Sequence, residues 1–122
     1  MKKSAWVIVG VIVIAFVAWL IAAPNKPGKL DAFATCLGTA GVKFYGAFWC
    51  PHCQAQKALF GTSAEKLPYI ECSTPDGNSQ NQTCNAEGIE SYPTWVFPNG
   101  AREVGVQTLE YLSATTSCPL PQ

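Results

Sequence analysis

Residues 42–57 read Val42-Lys43-Phe44-Tyr45-Gly46-Ala47-Phe48-Trp49-Cys50-Pro51-His52-Cys53-Gln54-Ala55-Gln56-Lys57. Residues 42–48 are a short apolar and aromatic run, which predicts a strand. Pro51 follows Cys50, and proline suits the first turn of a helix, where its missing N–H costs nothing. A helix is therefore expected over residues 51–67, with Ala55, Ala58, Leu59 and Leu67 facing inward. Cys50 falls at the N-terminus of that helix. The unpaired N–H groups and positive dipole end there favour a thiolate. His52, protonated or as a hydrogen-bond donor, would favour it further. Cys53 lies one helical turn on, placed to attack a mixed disulfide formed at Cys50. The pattern points to thiol–disulfide exchange, with Cys50 as the exchanging sulfur and Cys53 as the resolving one.

Outward from this stretch the chain alternates between helix and strand. Residues 30–41 predict a helix, with Leu30, Phe33, Ala34 and Leu37 on one face and Gly38 and Gly41 at its end. Residues 69–72 form a second candidate strand, and residues 73–82 are polar and rich in turn formers. A short helix is expected within residues 80–89, ending at Gly88. Residues 94–97 are a third strand, Pro98-Asn99-Gly100 a hairpin turn, residues 102–106 the returning strand, and residues 108–116 a final helix. Tyr45, Phe48, Trp95 and Phe97 are expected as core or sheet-face aromatics. Gln54, Gln56 and Lys57 are expected on the solvated face of their helix. Pro93 opens the third strand as Tyr92-Pro93-Thr94. A cis bond there would set the backbone of Tyr92 beside the Cys50 sulfur, free to pair with an extended peptide. Trp49, Pro51, Tyr92 and Pro93 are thus the candidate substrate-binding residues.

The N-terminal part is of another kind. Residues 5–23 hold nineteen residues without a charge or a proline. A helix of that length spans about 28 Å, close to the roughly 30 Å hydrocarbon core of a bilayer. Lys2 and Lys3 precede it, which by the positive-inside tendency keeps the N-terminus cytoplasmic, and Trp6 and Trp19 sit near its ends. Residues 1–23 are expected to be an uncleaved single-pass anchor, residues 24–29 a linker, and residues 30–122 the exported domain. A cleaved signal peptide is the rival. The apolar run exceeds the usual signal core, and cuts after Ala22 or Ala23 would put Leu20 or Ile21 at the −3 position.

The six cysteines, at 36, 50, 53, 72, 84 and 118, all lie beyond that segment. An even number in a small exported domain suggests a disulfide framework, although six cysteines allow fifteen connectivities. A ring across two intervening residues closes little chain, so the Cys50–Cys53 pair is better explained by reactivity than by stapling. The remaining four are structural candidates. Cys72–Cys84 would close a short loop over the polar stretch, and Cys36–Cys118 would tie the first helix to the chain end.

Composition narrows the function classes. Only 13% of the 122 residues are charged and 48% are hydrophobic, which excludes a disordered tail. Residues 1–29 carry four lysines and no acid, whereas residues 30–122 carry four basic and eight acidic residues, a net of −4. An acidic domain without a basic stripe is a poor nucleic-acid binder. A zinc site built on Cys50 and Cys53 would need two further ligands. His52 is the only histidine, so Cys72 and Cys84 would have to be recruited. Neither a metal nor an organic cofactor is expected.

The strand followed by Trp49-Cys50-Pro51-His52-Cys53, the Pro93-Thr94 strand start and the Asn99-Gly100 hairpin together resemble the thioredoxin superfamily. The longer string FYGAFWCPHC, QK and FG, then LPYIEC, then Cys84, Ile89 and YPTW, is similar to the thioredoxin-like domain attached to, or working with, bacterial vitamin K epoxide reductase homologues. The resemblance covers about residues 33–118. It implies an α/β thioredoxin-like fold with about four strands in a mixed sheet flanked by helices, a redox pair at Cys50 and Cys53, and a cis proline at Pro93. It also implies oxidation of exported protein thiols, with electrons passing to a membrane quinone reductase. Two departures stand out. One transmembrane candidate replaces a bundle. The buried acid that thioredoxins carry six residues before the nucleophile is here Phe44, so proton movement would depend on water or His52.

The expected function is that of a membrane-tethered protein-disulfide oxidase on the extracytoplasmic side of the cytoplasmic or an equivalent inner membrane. Its partners would be client proteins with thiols or disulfides and a vitamin K epoxide reductase-like membrane protein. The nearest rival is the same fold run as a reductase or isomerase. A rival of another class is a non-catalytic peptide-binding chaperone or adaptor.

Overall fold

Strand β1, Lys43–Gly46, is the centre of the domain. The computed structural model describes residues 1–24 and 26–122. Side chains alternate across a strand, and β1 uses both faces. Phe44 joins Phe33, Ala34, Leu37, Phe60, Trp95 and Leu112 in one buried cluster, while Tyr45 joins Cys72, Cys84 and Ile89 in another. Phe44 stacks on Trp95 with centroids 4.5 Å apart and meets Tyr69 edge-on at 5.2 Å.

The element order is α1 (Lys2–Ala22), α2 (Asp31–Thr39), β1, α3 (Pro51–Phe60), a 3-10 turn (Gly61–Lys66), β2 (Tyr69–Glu71), α4 (Gln82–Glu87), β3 (Thr94–Val96), β4 (Arg102–Val104) and α5 (Leu109–Thr116). The four strands form one sheet in the order β2-β1-β3-β4. β2 runs parallel to β1, reached through the α3 crossover, and β3 and β4 are antiparallel neighbours. Helix α4 ends at Gly88 in the left-handed conformation, with φ 72°, where a glycine carries no Cβ penalty.

Four local expectations are corrected. The helix expected over residues 51–67 stops at Phe60, because Gly61 takes φ 56° and leaves the helical region; a 3-10 turn continues to Lys66. The inward face of α3 is Cys53, Gln56 and Phe60, with Leu67 buried beyond it, whereas Ala55, Ala58 and Leu59 are exposed. Cys53 sets this phase by turning toward β1. Gln56 is fully buried rather than solvated. Its side-chain oxygen accepts from Trp95 Nε1 at 3.2 Å and from the Gln107 backbone at 2.7 Å, and its amide donates to the Gln107 carbonyl at 3.0 Å. A satisfied amide is tolerated in a core where an unpaired one is not. Finally, Phe48 is half exposed rather than packed in the sheet.

Two disulfides are present. Cys36–Cys118 closes a separation of 82 residues and ties α2 to the segment after α5; Cys72–Cys84 closes a separation of 12 between β2 and α4. Cys50 and Cys53 are free thiols.

Helix α1 is long and apolar enough to cross a membrane, and none of its residues is buried. The expected linker, residues 24–29, includes Asn25, which lies outside the described residues.

Candidate active site

Cys50 caps the N-terminus of α3, and Pro51 occupies the first helical position. The cap is fixed from both sides: the Cys50 amide donates to the Ala47 carbonyl at 3.0 Å, and the Cys50 carbonyl accepts from Gln54 at 3.0 Å. The Cys50 thiol donates to the Tyr92 carbonyl at 3.7 Å. The Tyr92–Pro93 peptide is cis, and Pro93 is buried. Four residues predicted from the sequence, Cys50, Pro51, Tyr92 and Pro93, therefore meet at one place, although forty residues part the two segments.

Cys53 is buried one turn further along α3, against Gly46 of β1. A Cβ at Gly46 would lie 2.8 Å from Cys53 Sγ and 2.9 Å from Tyr69 Cε2. No real side-chain carbon fits there, so glycine at this position makes the room that the sulfur and the ring share. Burial pushes the Cys53 thiol up to about 12, with backbone hydrogen bonding at Ala47 and the Lys57 charge pulling the other way.

Strand β2 frames the site with groups that the sequence reading did not single out. Glu71 accepts from the Phe48 amide at 3.2 Å, the Ser73 amide at 2.8 Å and the Tyr69 hydroxyl at 2.7 Å. Ser73 Oγ accepts from Trp49 Nε1 at 3.0 Å. The two aromatic residues that lead into Cys50 are thus clamped from the end of β2 and the residue two beyond it. Trp49 also meets Tyr92 edge-on, with centroids 6.0 Å apart. It remains about half exposed, as does Phe48, and both rings lie beside Gly77. Lys57, assigned to the solvated face from sequence, instead rests its ammonium 3.5 Å from the centroid of the Tyr69 ring. Burial and the Glu71 hydrogen bond push the Tyr69 phenol above its ordinary range, and burial raises that of Tyr92. His52 is exposed on the first turn of α3 and hydrogen-bonds to nothing among the described residues.

Cys72 and Cys84, which a zinc site would have needed, are bonded to each other. Among the described residues no cluster of three or more histidine, cysteine or acidic side chains is placed to hold a metal ion.

The missed residues left faint signals. Lys57 is four residues beyond Cys53 and so shares its helix face. Tyr69 and Glu71 are two apart and so share a strand face. A glycine inside a strand signals a close approach.

A thioredoxin family model matches residues 37–115. The thiol-disulfide oxidoreductase LTO1 of Arabidopsis thaliana is 45% identical over 71 residues, a match that takes in 54% of this chain and 19% of that protein. The chain thus spans about a fifth of the length of that relative. The solved structure of the Malassezia sympodialis thioredoxin Mala s 13 aligns with a TM-score of 0.43 at 24% identity, covering 63% of this chain and 72% of that one. By the family match, which takes in most of the chain and all four strands of the mixed sheet, this protein belongs to the thioredoxin family.

Proposed function

We propose that the protein is a membrane-tethered protein-disulfide oxidoreductase that oxidises dithiols of exported proteins through Cys50 and Cys53. The observation that carries the reading is the Cys50 thiol at a helix N-terminus, within reach of the Tyr92 carbonyl and one turn from a buried free partner cysteine. In the oxidising cycle a client thiolate attacks Cys50 Sγ of the Cys50–Cys53 disulfide. That bond breaks, and its electron pair leaves on Cys53, which takes a proton from water. A second client thiolate then attacks the client sulfur of the mixed disulfide, and Cys50 leaves as a thiolate. The client dithiol becomes a disulfide, and the Cys50–Cys53 disulfide becomes a dithiol.

Trp49, Pro51, Tyr92 and Pro93 are assigned to binding an extended client segment, with the Tyr92 backbone as its pairing partner. Cys36–Cys118 and Cys72–Cys84 are assigned a structural role. The Cys-Pro-His-Cys sequence and the resemblance to domains that work with vitamin K epoxide reductase homologues support the oxidising direction. They also support reoxidation by a quinone-linked membrane protein of that kind. Residues 1–23 are assigned as the anchor, 24–29 as the linker and 30–122 as the extracytoplasmic domain. The lysines before the apolar helix support this orientation, and the disulfides suit an oxidising compartment. Tethering raises the effective concentration of two proteins held in one bilayer. The chemistry needs neither metal nor organic cofactor in this domain.

The test is oxidation of a reduced, unfolded disulfide protein by the oxidised full chain in detergent, beside Cys50→Ser. Loss of turnover in Cys50→Ser is expected. Full activity in that variant would refute the exchange reading, and retained peptide binding without turnover in the wild type would favour an adaptor.

A further inference from the structure

Exchange asks Cys53 to be a thiolate twice. It is the leaving sulfur when a client attacks Cys50, and the attacking sulfur when the reduced pair is reoxidised. Yet Cys53 is buried, and burial disfavours its charged form. The position six residues before Cys50 is Phe44, locked between Trp95 and Tyr69, so no carboxylate assists there.

Three observations bring a positive charge onto the ring that borders this sulfur. Cys53 and Lys57 are four residues apart in α3 and share a face. Cys53 Sγ and Tyr69 Cε2 meet across Gly46, both within 3 Å of the point its Cβ would occupy. The Lys57 ammonium sits over the same Tyr69 ring, 3.5 Å from its centroid. A cation over an aromatic face is held by the ring quadrupole, and the Tyr69 hydroxyl is held in turn by Glu71.

We infer that Lys57, seated on the Tyr69 ring, supplies the charge that lets buried Cys53 act as leaving and attacking thiolate, with Tyr69 and Glu71 as its positioning residues. This rests on the exchange reading and deepens it. The titratable groups facing Cys53 are Cys50 and Lys57 of α3, Tyr69 of β2 and Tyr92 before β3, and Glu71 of β2 acts on both phenols. Both phenols are held toward their neutral forms, so neither cancels the ammonium. The Glu71 charge is spread over three donors, from Phe48, Ser73 and Tyr69. In the reoxidation half, Cys50 first attacks a disulfide of the partner and releases one partner thiolate. Cys53 then gives its proton to water and attacks Cys50 Sγ. The Cys50–partner bond breaks, and the second partner sulfur leaves as a thiolate.

The test uses the reduced full chain in detergent and dithiobis(nitrobenzoate), which releases a coloured thiolate at each of two steps. Cys50 attack gives the first release and Cys53 resolution the second. In Lys57→Met the ratio of second to first rate is expected to fall about ten-fold near neutral pH, and the pH profile of the second step to move up by about one unit. Lys57→Arg, which keeps a cation able to stack on the ring, is expected to restore both. Tyr69→Leu keeps the lysine but removes its seat, and is expected to fall between. A Lys57→Met chain with unchanged second step and profile would overturn the inference, as would Lys57→Arg behaving like Lys57→Met. Wild-type protein that shows neither release would refute the exchange reading itself.

Discussion

The Cys50 thiol and the Tyr92 carbonyl lie 3.7 Å apart, joined across a sequence separation of 42 residues. The contact sets the Cys50 sulfur beside the backbone of half-buried Tyr92, where an incoming extended segment would meet sulfur and carbonyl together. Both cysteines are buried, Cys50 at 6% exposure and Cys53 deeper, at 1%. Cys50 lies nearer the surface of the two, which suits the role proposed for it as the exchanging sulfur.

Removing the deeper sulfur, Cys53, while keeping Cys50 should trap the intermediate. In Cys53→Ala the mixed disulfide at Cys50 has no resolving neighbour. With a client that carries a disulfide, Cys50 attacks one client sulfur and the other leaves as a thiolate, so covalent adducts are expected to accumulate, visible as higher-mass species on non-reducing gels and lost on reduction. Cys50→Ala should give no such adducts, and equal trapping by both variants would contradict the assignment.

Gly46→Ala should act on both fold and site. Its methyl would sit 2.8 Å from Cys53 Sγ and 2.9 Å from the Tyr69 ring, and overpacking of this kind costs about 1–3 kcal/mol. Denaturant unfolding should show that loss. Resolution by Cys53 should slow as well, because the methyl displaces the sulfur.

The two structural disulfides should differ in worth by their loop lengths. Separations of 82 and 12 residues correspond in the chain-entropy model to about 4.5 and about 3 kcal/mol. Paired Cys36→Ser/Cys118→Ser should therefore destabilise somewhat more than Cys72→Ser/Cys84→Ser in urea titrations. Both double variants, while folded, should keep an exchangeable Cys50–Cys53 pair.

The reduced domain should lose stability at alkaline pH. Burial raises the Cys53 thiol from 9.0 to about 12 in the folded state. Between these values the unfolded chain has released the proton and the folded chain holds it, so stability falls as pH rises, by up to about 1.4 kcal/mol per unit. Below about pH 9 the contribution is fully present. The oxidised pair has no such thiol, so its unfolding free energy should decline less over the same range. Parallel decline in the two redox forms would contradict this.

Much of this architecture was legible because it is local. The apolar run ending in Trp49-Cys50-Pro51 announces a strand and then a helix start. Asn99-Gly100 announces the hairpin, and Gly88 the end of α4. The phase of α3 was misread because Ala55, Ala58 and Leu59 are the apolar residues, yet Cys53 facing Gly46 rotates Gln56 inward to meet Trp95 and Gln107. The length of α3 was misread because a glycine inside a helical pattern need not break it, and only the φ of Gly61 shows that it does. Lys57, Tyr69 and Glu71 carry no motif. Their grouping exists only because β2 pairs in parallel with β1 and brings its ring under α3. The site's core was readable from four residues, and its electrostatic surroundings required the sheet.

The most direct test of the central claim is the reduction potential of the Cys50–Cys53 pair, measured by equilibrating the full chain in detergent against glutathione buffers and trapping free thiols. A value near or above about −180 mV, in the range of protein oxidases and isomerases, is expected. A value near or below about −270 mV would match thioredoxin-like reductants and contradict the oxidising direction.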